Sequence, residues 1–498
     1  MCRNRSLLIL LTLVAASVIA LSGCAKVEDG KSPLAANNPN SAAGKIPVTT
    51  ASEEARKEFL QGRDLAEKLL IQDSIQHFDK AISLDANFAL AELNRANVSP
   101  TGKEFFDHLK KAVALADKAS NGEKLLILSA EAGANNNAAK QKELLEQLVA
   151  AYPNDERAHF NLGGYYFGQQ DMSQAIQHYK KATELAPAYS PVFNILGYAY
   201  RQNGDYANAE TAFKKYIELI PNDPNPYDSY AELLLKMGRF DESITQYRKA
   251  LAIDPNFINS HQGIGAALMY QGKPDQAAAE IQKITDKARS DAERRTALFG
   301  LTVVDVDSGK MEAALAKMDK QYALGEKTND VPAMTGDLQF KGNIMLEMGK
   351  PDEAKALFER GLKMTEESNL SQEIKDNAKL FHHYNLARVA LGKKDMTTAK
   401  IEADAFNTGT ESLKNPFQTK QAHELLGMIA LERKDYDAAL AELQQSNQQN
   451  PYDLYRLCQA YQGKGDKAKA KEFCTKAAAF NSLPQLNLAF IRTKAAKA

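Results

Sequence analysis

The chain has 498 residues, 44% hydrophobic and 25% charged, which is ordinary globular usage and enough to bury a sizeable core. Its 62 Lys and Arg against 63 Asp and Glu leave a formal net charge of −1 with no basic block, which argues against nucleic acid as a partner. The absence of Trp weakens any reading built on flat aromatic platforms for sugars or bases.

The first segment, MCRNRSLLILLTLVAASVIALSGC, has a short cationic head at Arg3 and Arg5, an apolar run from Leu7 to Leu21 and small residues before Cys24. That is the build of a secretory signal, and the run falls short of the roughly 20 residues of a membrane span. Leu21-Ser22-Gly23-Cys24 resembles the bacterial lipobox, which implies cleavage after residue 23 and acylation of Cys24. Ala25, where aspartate commonly retains such proteins at the inner membrane, implies an outer-membrane lipoprotein, read here as facing the periplasm and attached to the membrane through its lipid. Residues 24–52 lack apolar periodicity and are rich in Ala, Asn, Ser, Pro and Gly, so they read as a flexible linker with a reach on the order of 30 Å.

From Glu53 onward helix follows helix, with apolar residues spaced three and four apart and no β-type alternation. Turn pairs such as Gly204-Asp205, Gly238-Arg239, Gly272-Lys273, Gly349-Lys350, Lys394-Asp395 and Lys434-Asp435 precede a small residue that opens the next apolar face. The recurrence, at strict 34-residue steps from Glu156 through Ser190 and Pro224 to Ile258, identifies a solenoid of helical hairpins. Gly163 and Gly197 fall where two antiparallel helices cross, Ala175 and Ala209 face them, and Tyr179 and Phe213 fill space between neighbouring hairpins. Pro187, Pro221 and Pro255 stop the second helices.

This pattern resembles the tetratricopeptide repeat family. Phe193, Leu196, Gly197, Tyr200, Ala209, Phe213 and Pro221 carry nearly the whole signature in one unit, and Leu162, Gly163, Tyr166, Ala175, Tyr179, Ala182 and Pro187 carry it in the unit before. The resemblance implies an all-α fold, a right-handed superhelical solenoid of antiparallel helix pairs, with about twelve units over residues 53–482 and a capping helix over 483–498. The unit around 97–119 is degenerate, with a shortened first helix. Extra residues near 325–333, 365–379 and 407–417 are either longer helices or projecting loops.

Several fragments imitate catalytic motifs and fail on spacing. His423-Glu424 has Gly427 where a zinc protease needs its second His, Gly263-Ile264-Gly265 lacks a third small residue and a preceding strand, and Asp305-Val306-Asp307 has Ala316 at the bidentate calcium position. His159, His261, His383 and His423 share one repeat position and read as rings packed near the hairpin edge. No cofactor, metal or catalytic residue is expected, and the chain does not read as an enzyme. Once Cys2 leaves with the signal and Cys24 is acylated, Cys458 and Cys474 remain on facing helices of the last repeat, as a disulfide or as two buried thiols.

In the family that this chain resembles, ligands lie along the concave face of the first helices. Projected here, that face offers Arg157, Phe160, Asn161 and Phe167; Asn194, Tyr198, Arg201 and Gln202; Asp228, Glu232 and Lys236; and Gln262 and Tyr270. Phe160 and Gly164 stand where chaperone-binding members carry Lys and Asn, which argues against a carboxylate clamp. The resulting expectation is an outer-membrane scaffold or adaptor lipoprotein that binds other envelope proteins or peptides during complex assembly. The alternative is a nutrient- or glycan-binding surface lipoprotein.

Overall fold

The computed structural model describes residues 44–413 and 415–498; the signal segment, Cys24 and most of the expected linker lie outside the described residues. Twenty-five α-helices and no strand are found among the described residues. They form twelve consecutive hairpins and one closing helix. The first three hairpins are α1 (Glu53–Glu67) with α2 (Ile71–Leu84), α3 (Ala89–Asn97) with α4 (Gly102–Leu115), and α5 (Asn121–Ala134) with α6 (Ala138–Ala151). The regular middle consists of α7 (Glu156–Gly168) and α8 (Met172–Leu185), α9 (Ser190–Gln202) and α10 (Tyr206–Leu219), α11 (Pro224–Lys236) and α12 (Phe240–Ile253), and α13 (Ile258–Tyr270) and α14 (Pro274–Lys287). Then come α15 (Asp291–Asp307) and α16 (Met311–Glu326), α17 (Val331–Glu347) and α18 (Pro351–Glu367), and α19 (Gln372–Gly392) and α20 (Met396–Leu413). The last pairs are α21 (Pro416–Glu432) with α22 (Tyr436–Leu443) and α23 (Pro451–Lys464) with α24 (Lys467–Ala478), followed by α25 (Leu486–Lys497).

Local chemistry accounts for the boundaries. Asp155, Asp171 and Asp205 cap α7, α8 and α10 with their side chains, and Pro187, Pro221 and Pro255 each stand two residues past the end of a second helix. The turns inside the hairpins need a left-handed residue. Gly204 and Gly349 supply it at φ +80° and +72°, while Lys394 and Lys434 take φ +61° and +59° and bear the side-chain strain that glycine avoids. The short first helix lies earlier than expected: α3 (Ala89–Asn97) has only 9 residues, and the stretch 97–119 holds the second helix of that unit, α4. The extra residues of the later units are taken up by longer helices, up to 21 residues in α19, and not by loops.

Packing inside several hairpins follows one rule. A Cβ built on Gly163 would meet Tyr179 at 2.7 Å and one on Gly197 would meet Phe213 at 2.7 Å, so the ring of the second helix lies directly on the bare backbone of the first. Gly62 with Phe78 and Gly342 with Phe358 repeat the arrangement in hairpins one and nine.

Two arrangements exceed a simple stack. At the N-terminus, residues 45–51 run across the ends of three hairpins, so the ordered body begins before Glu53. The Ile46 N–H donates to Asp155 (2.9 Å), Thr49 N–H to Glu123 (2.7 Å) and Ala51 N–H to Asp85 (3.0 Å). The superhelix also meets itself. Gly102 N–H donates to Asp330 (3.1 Å), Asn415 to Asn136 (2.9 Å), Lys420 to Gln170 (2.9 Å) and Gln449 to the Gln202 carbonyl (3.3 Å). These contacts join hairpins about seven units apart, so one superhelical turn closes against the next. The closing helix α25 buries Leu488, Phe490 and Ile491 against α15 as well as α23, and Arg492 reaches Asp307 (2.7 Å). It therefore fills part of the lumen in addition to covering the last hairpin.

Candidate functional site

The inner face of the first helices is lined by a ladder of polar contacts, each rung spanning one repeat. Tyr198 donates to Glu232 (3.0 Å) and Arg201 pairs with the other oxygen of Glu232 (3.1 Å), joining α9 to α11. Ser260 donates to Asp228 (2.7 Å), and Gln262 donates to the Thr296 carbonyl (2.7 Å), carrying the ladder through α13 to α15. Arg295 grips both oxygens of Asp337 at 2.8 and 2.9 Å between α15 and α17. Gln339 and Asn385 exchange amide hydrogen bonds, Gln418 donates to Asn377 (2.9 Å), and Tyr384 donates to Glu424 (3.0 Å), which also pairs with Arg456.

Electrostatics follow from burial. Asp228 is 1% exposed, and burial, with Glu232 one turn away, raises its carboxyl well above the ordinary range despite the Ser260 hydroxyl. Burial likewise pushes Asp337 up to about 6, the paired Arg295 only partly offsetting it. These groups bind one hairpin to the next, and their in-chain partners offset only part of their desolvation.

The expected concave residues therefore divide. Asn194, Tyr198, Asp228, Glu232 and Gln262 are buried, and Tyr198, Asp228, Glu232 and Gln262 are engaged within the chain. Expecting all of them on an open face is corrected by the ladder, because adjacent first helices approach closely enough for side chains to pair across repeats. Arg157 bonds Glu67 (3.2 Å) and Glu156 (2.7 Å) beneath the Tyr189 ring, Asn161 returns to the Arg157 carbonyl (2.7 Å), and Phe160 packs on Tyr179 and Tyr189. Phe160, Asn161, Phe167, Arg201 and Gln202 keep part of their surface.

Lys236 and Tyr270 hold a non-helical segment of this same chain. Lys236 donates to the Phe480 carbonyl (2.6 Å) with its ammonium over the Phe480 ring, and Tyr270 donates to the Ser482 carbonyl. Sequence reasoning missed this, together with Arg295, Asp337, Asn377 and Glu424, because the later units depart from the 34-residue step. The available signal was polar residues recurring one repeat apart on predicted first helices.

Between this segment and the first helices lies a cavity of about 380 Å³, reached also by residues 97–102 of the second hairpin. The histidines form clasps inside hairpins. His261 meets Glu280 (2.7 Å), His383 meets Glu402 (2.6 Å), His423 meets Glu442 (2.7 Å), and His159 meets His178 (3.1 Å), each pair 19 residues apart. Cys458 and Cys474 are joined as a disulfide, with Cα atoms 5.1 Å apart. Among the described residues, no three His, Cys, Asp or Glu side chains gather where they could hold a metal ion.

Comparison with known proteins gives four family matches: Tetratricopeptide repeat at residues 131–190 and 190–223, TPR repeat at 231–272, and Tetratricopeptide repeat-like domain at 264–380. No curated protein matches the chain. Among solved structures, yeast Tom70 is 15% identical with a TM-score of 0.45, covering 78% of this chain and 93% of its own. A tetratricopeptide repeat protein from Parabacteroides merdae is 14% identical with a TM-score of 0.35, covering 57% and 99%. A thermophilic TPR protein of Thermus thermophilus is 22% identical with a TM-score of 0.28, covering 43% and 99%. Repeat matches and hairpin geometry together make this chain an all-α, tetratricopeptide-type solenoid, a fold suited to binding other proteins.

Proposed function

We propose that the protein is an outer-membrane scaffold, tethered through an acylated Cys24 and facing the periplasm, that holds segments of other envelope proteins against the inner face of its first helices. The observation that carries the reading is the grip on residues 480–482. Lys236 and Tyr270 take main-chain carbonyls of a non-helical segment of this chain, which supports a face whose side chains hold extended backbone. The lipobox-like Leu21–Cys24 supports the tether, and the partly exposed Phe160 and Gln202 supply apolar and amide contact for a partner.

Capture from solubilised envelopes tests it. The full chain carrying Phe160→Ala and Gln202→Ala is expected to lose at least about 80% of the partner recovered by the unaltered chain, with membrane attachment preserved, whereas Cys24→Ser releases the protein from the membrane fraction. An identical partner set from the double variant rejects the inner face, and continued membrane attachment of Cys24→Ser rejects the tether.

A further inference from the structure

The cavity beside residues 480–485 has a wall chemistry that selects a ligand class. Its volume of about 380 Å³ lies within the roughly 300–1,000 Å³ of small-molecule sites. Its apolar wall comes from parts of the chain far apart in sequence: Val98 from the second hairpin, Leu235 from the sixth, Phe299 and Phe340 from the eighth and ninth, and Phe480 and Leu483 from the closing segment. The Phe299 and Phe340 rings lie 4.9 Å apart and make one continuous aromatic surface.

The charged groups in the wall are already answered from within. Arg201 pairs with Glu232 (3.1 Å), Arg295 with Asp337 (2.8 Å) and Lys236 with the Phe480 carbonyl (2.6 Å). Asp330 accepts from Gly102 N–H (3.1 Å) and Ala333 N–H (3.3 Å). An ionic ligand would have to break one of these partnerships and lose its own hydration as well. An uncharged ligand keeps them all and gains contact with the apolar part of the wall. Asn97 and Asn259 in the same wall offer neutral hydrogen-bonding groups that would fix one polar end.

We infer that this cavity is a binding site for a small, uncharged, largely apolar molecule with at most one or two hydrogen-bonding groups. The cavity shares Gln202 and Lys236 with the inner face of the scaffold reading, but its Phe299, Phe340 and Ala292 wall lies outside the residues that reading uses, so variants there separate the two. Ligand in the cavity contacts the second, sixth, eighth and ninth hairpins together with the closing segment, so it ties one superhelical turn to the next.

The absence of Trp makes the site directly readable. The full chain carrying Cys24→Ser, so that no acyl chain competes, is titrated with N-phenyl-1-naphthylamine, an uncharged apolar fluorophore, and with its anionic sulfonated relative 8-anilino-1-naphthalenesulfonate. Saturable one-to-one binding of the neutral probe is expected, with the anion at least about tenfold weaker. Energy transfer from the single indole of a Phe299→Trp variant then places the probe in the cavity. Ala292→Phe, which fills the cavity from α15, is expected to weaken the neutral probe at least about tenfold while circular dichroism and Tm hold. Should that variant fold poorly, competition on the unfilled chain decides the matter: 1-decanol displaces the probe and decanoate does not. Non-saturable binding, equal affinity for the two probes, or equal displacement by decanoate overturns the inference.

Discussion

In the fifth hairpin the ring of Phe213 rests on the bare backbone of Gly197, whereas the twelfth carries Cys458 and Cys474 at the equivalent positions, linked as a disulfide. Both pairs are 16 residues apart and do the same job, holding the first helix against the second. They differ in what surrounds them. The fifth hairpin is flanked by hairpins on both sides, and Phe213 is fully buried in a cluster that draws on α8 through α12. Among the described residues the twelfth is followed by the single helix α25 instead of another hairpin, and it is closed by a covalent bond. Interior repeats, and the first hairpin with Phe78 on Gly62, thus rely on burial, and the C-terminal one adds a crosslink.

The comparison can be broken first at its non-covalent end. Gly197→Val places atoms where a Cβ alone already stands 2.7 Å from Phe213, and destabilisation of about 3 kcal/mol is expected, spread over hairpins four to six. Hydrogen exchange and urea unfolding measure it, and a second change, Phe213→Leu, should return part of the loss. Unaltered protection across those hairpins would remove the packing argument.

The covalent end should lose slightly less. Replacing Cys458 and Cys474 together by Ala opens a loop whose ends are 16 residues apart and is expected to cost about 2–3 kcal/mol, confined to residues 451–498. Reduction of the unaltered chain should reproduce the pattern of exchange. Loss spread evenly along the array would show that the crosslink does not act locally.

The smallest effect sharpens the picture of the interior hairpins by pH. Burial alone would raise the Glu280 carboxyl, but hydrogen bonds from His261, Lys283 and Arg248 draw it down to about 2. A depressed folded-state value means that this clasp stabilises the seventh hairpin above pH 4.5 and is lost as pH falls from there toward 2. Because Arg248 and Lys283 are about half exposed, at 49% and 46%, the contribution is screened to roughly 1 kcal/mol. Glu280→Gln should lower Tm at pH 6, with the gap to the parent narrowing below pH 4.5 and closing only below about pH 2; a gap that does not narrow in acid would show that Glu280 acts through packing and not through its charge.

How much was legible varies by residue. The close crossing at Gly163 and Gly197 was legible from spacing, but Ala175 and Ala209 were expected to face those glycines and Tyr179 and Phe213 to lie between hairpins; it is the rings that sit on the glycines, inside the hairpin. The prolines at 187, 221 and 255 announce helix ends for equally local reasons. The histidine position was legible as a hairpin edge, but its partners at Glu280, Glu402 and Glu442 were not singled out, although the 19-residue interval recurs. On the inner face, Tyr198 and Asp228 were placed on the right side of the right helices, yet burial could not be read, since it depends on how near the next first helix stands. The embrace of residues 45–51 by Asp85, Glu123 and Asp155 was equally invisible, because a segment without periodicity carries no sign of its docking partner.

What the sequence determined by itself is the hairpin: where each helix begins and ends, which turn residue goes left-handed, and where the two helices cross closely. The tertiary structure alone decided the closure of one superhelical turn on the next, the entry of α25 and residues 480–485 into the lumen, and the cavity left between them. The physical reason is one of scale. A hairpin is specified by contacts of strong local preference, whereas closure sums a small rotation over seven units, and no single residue encodes that sum.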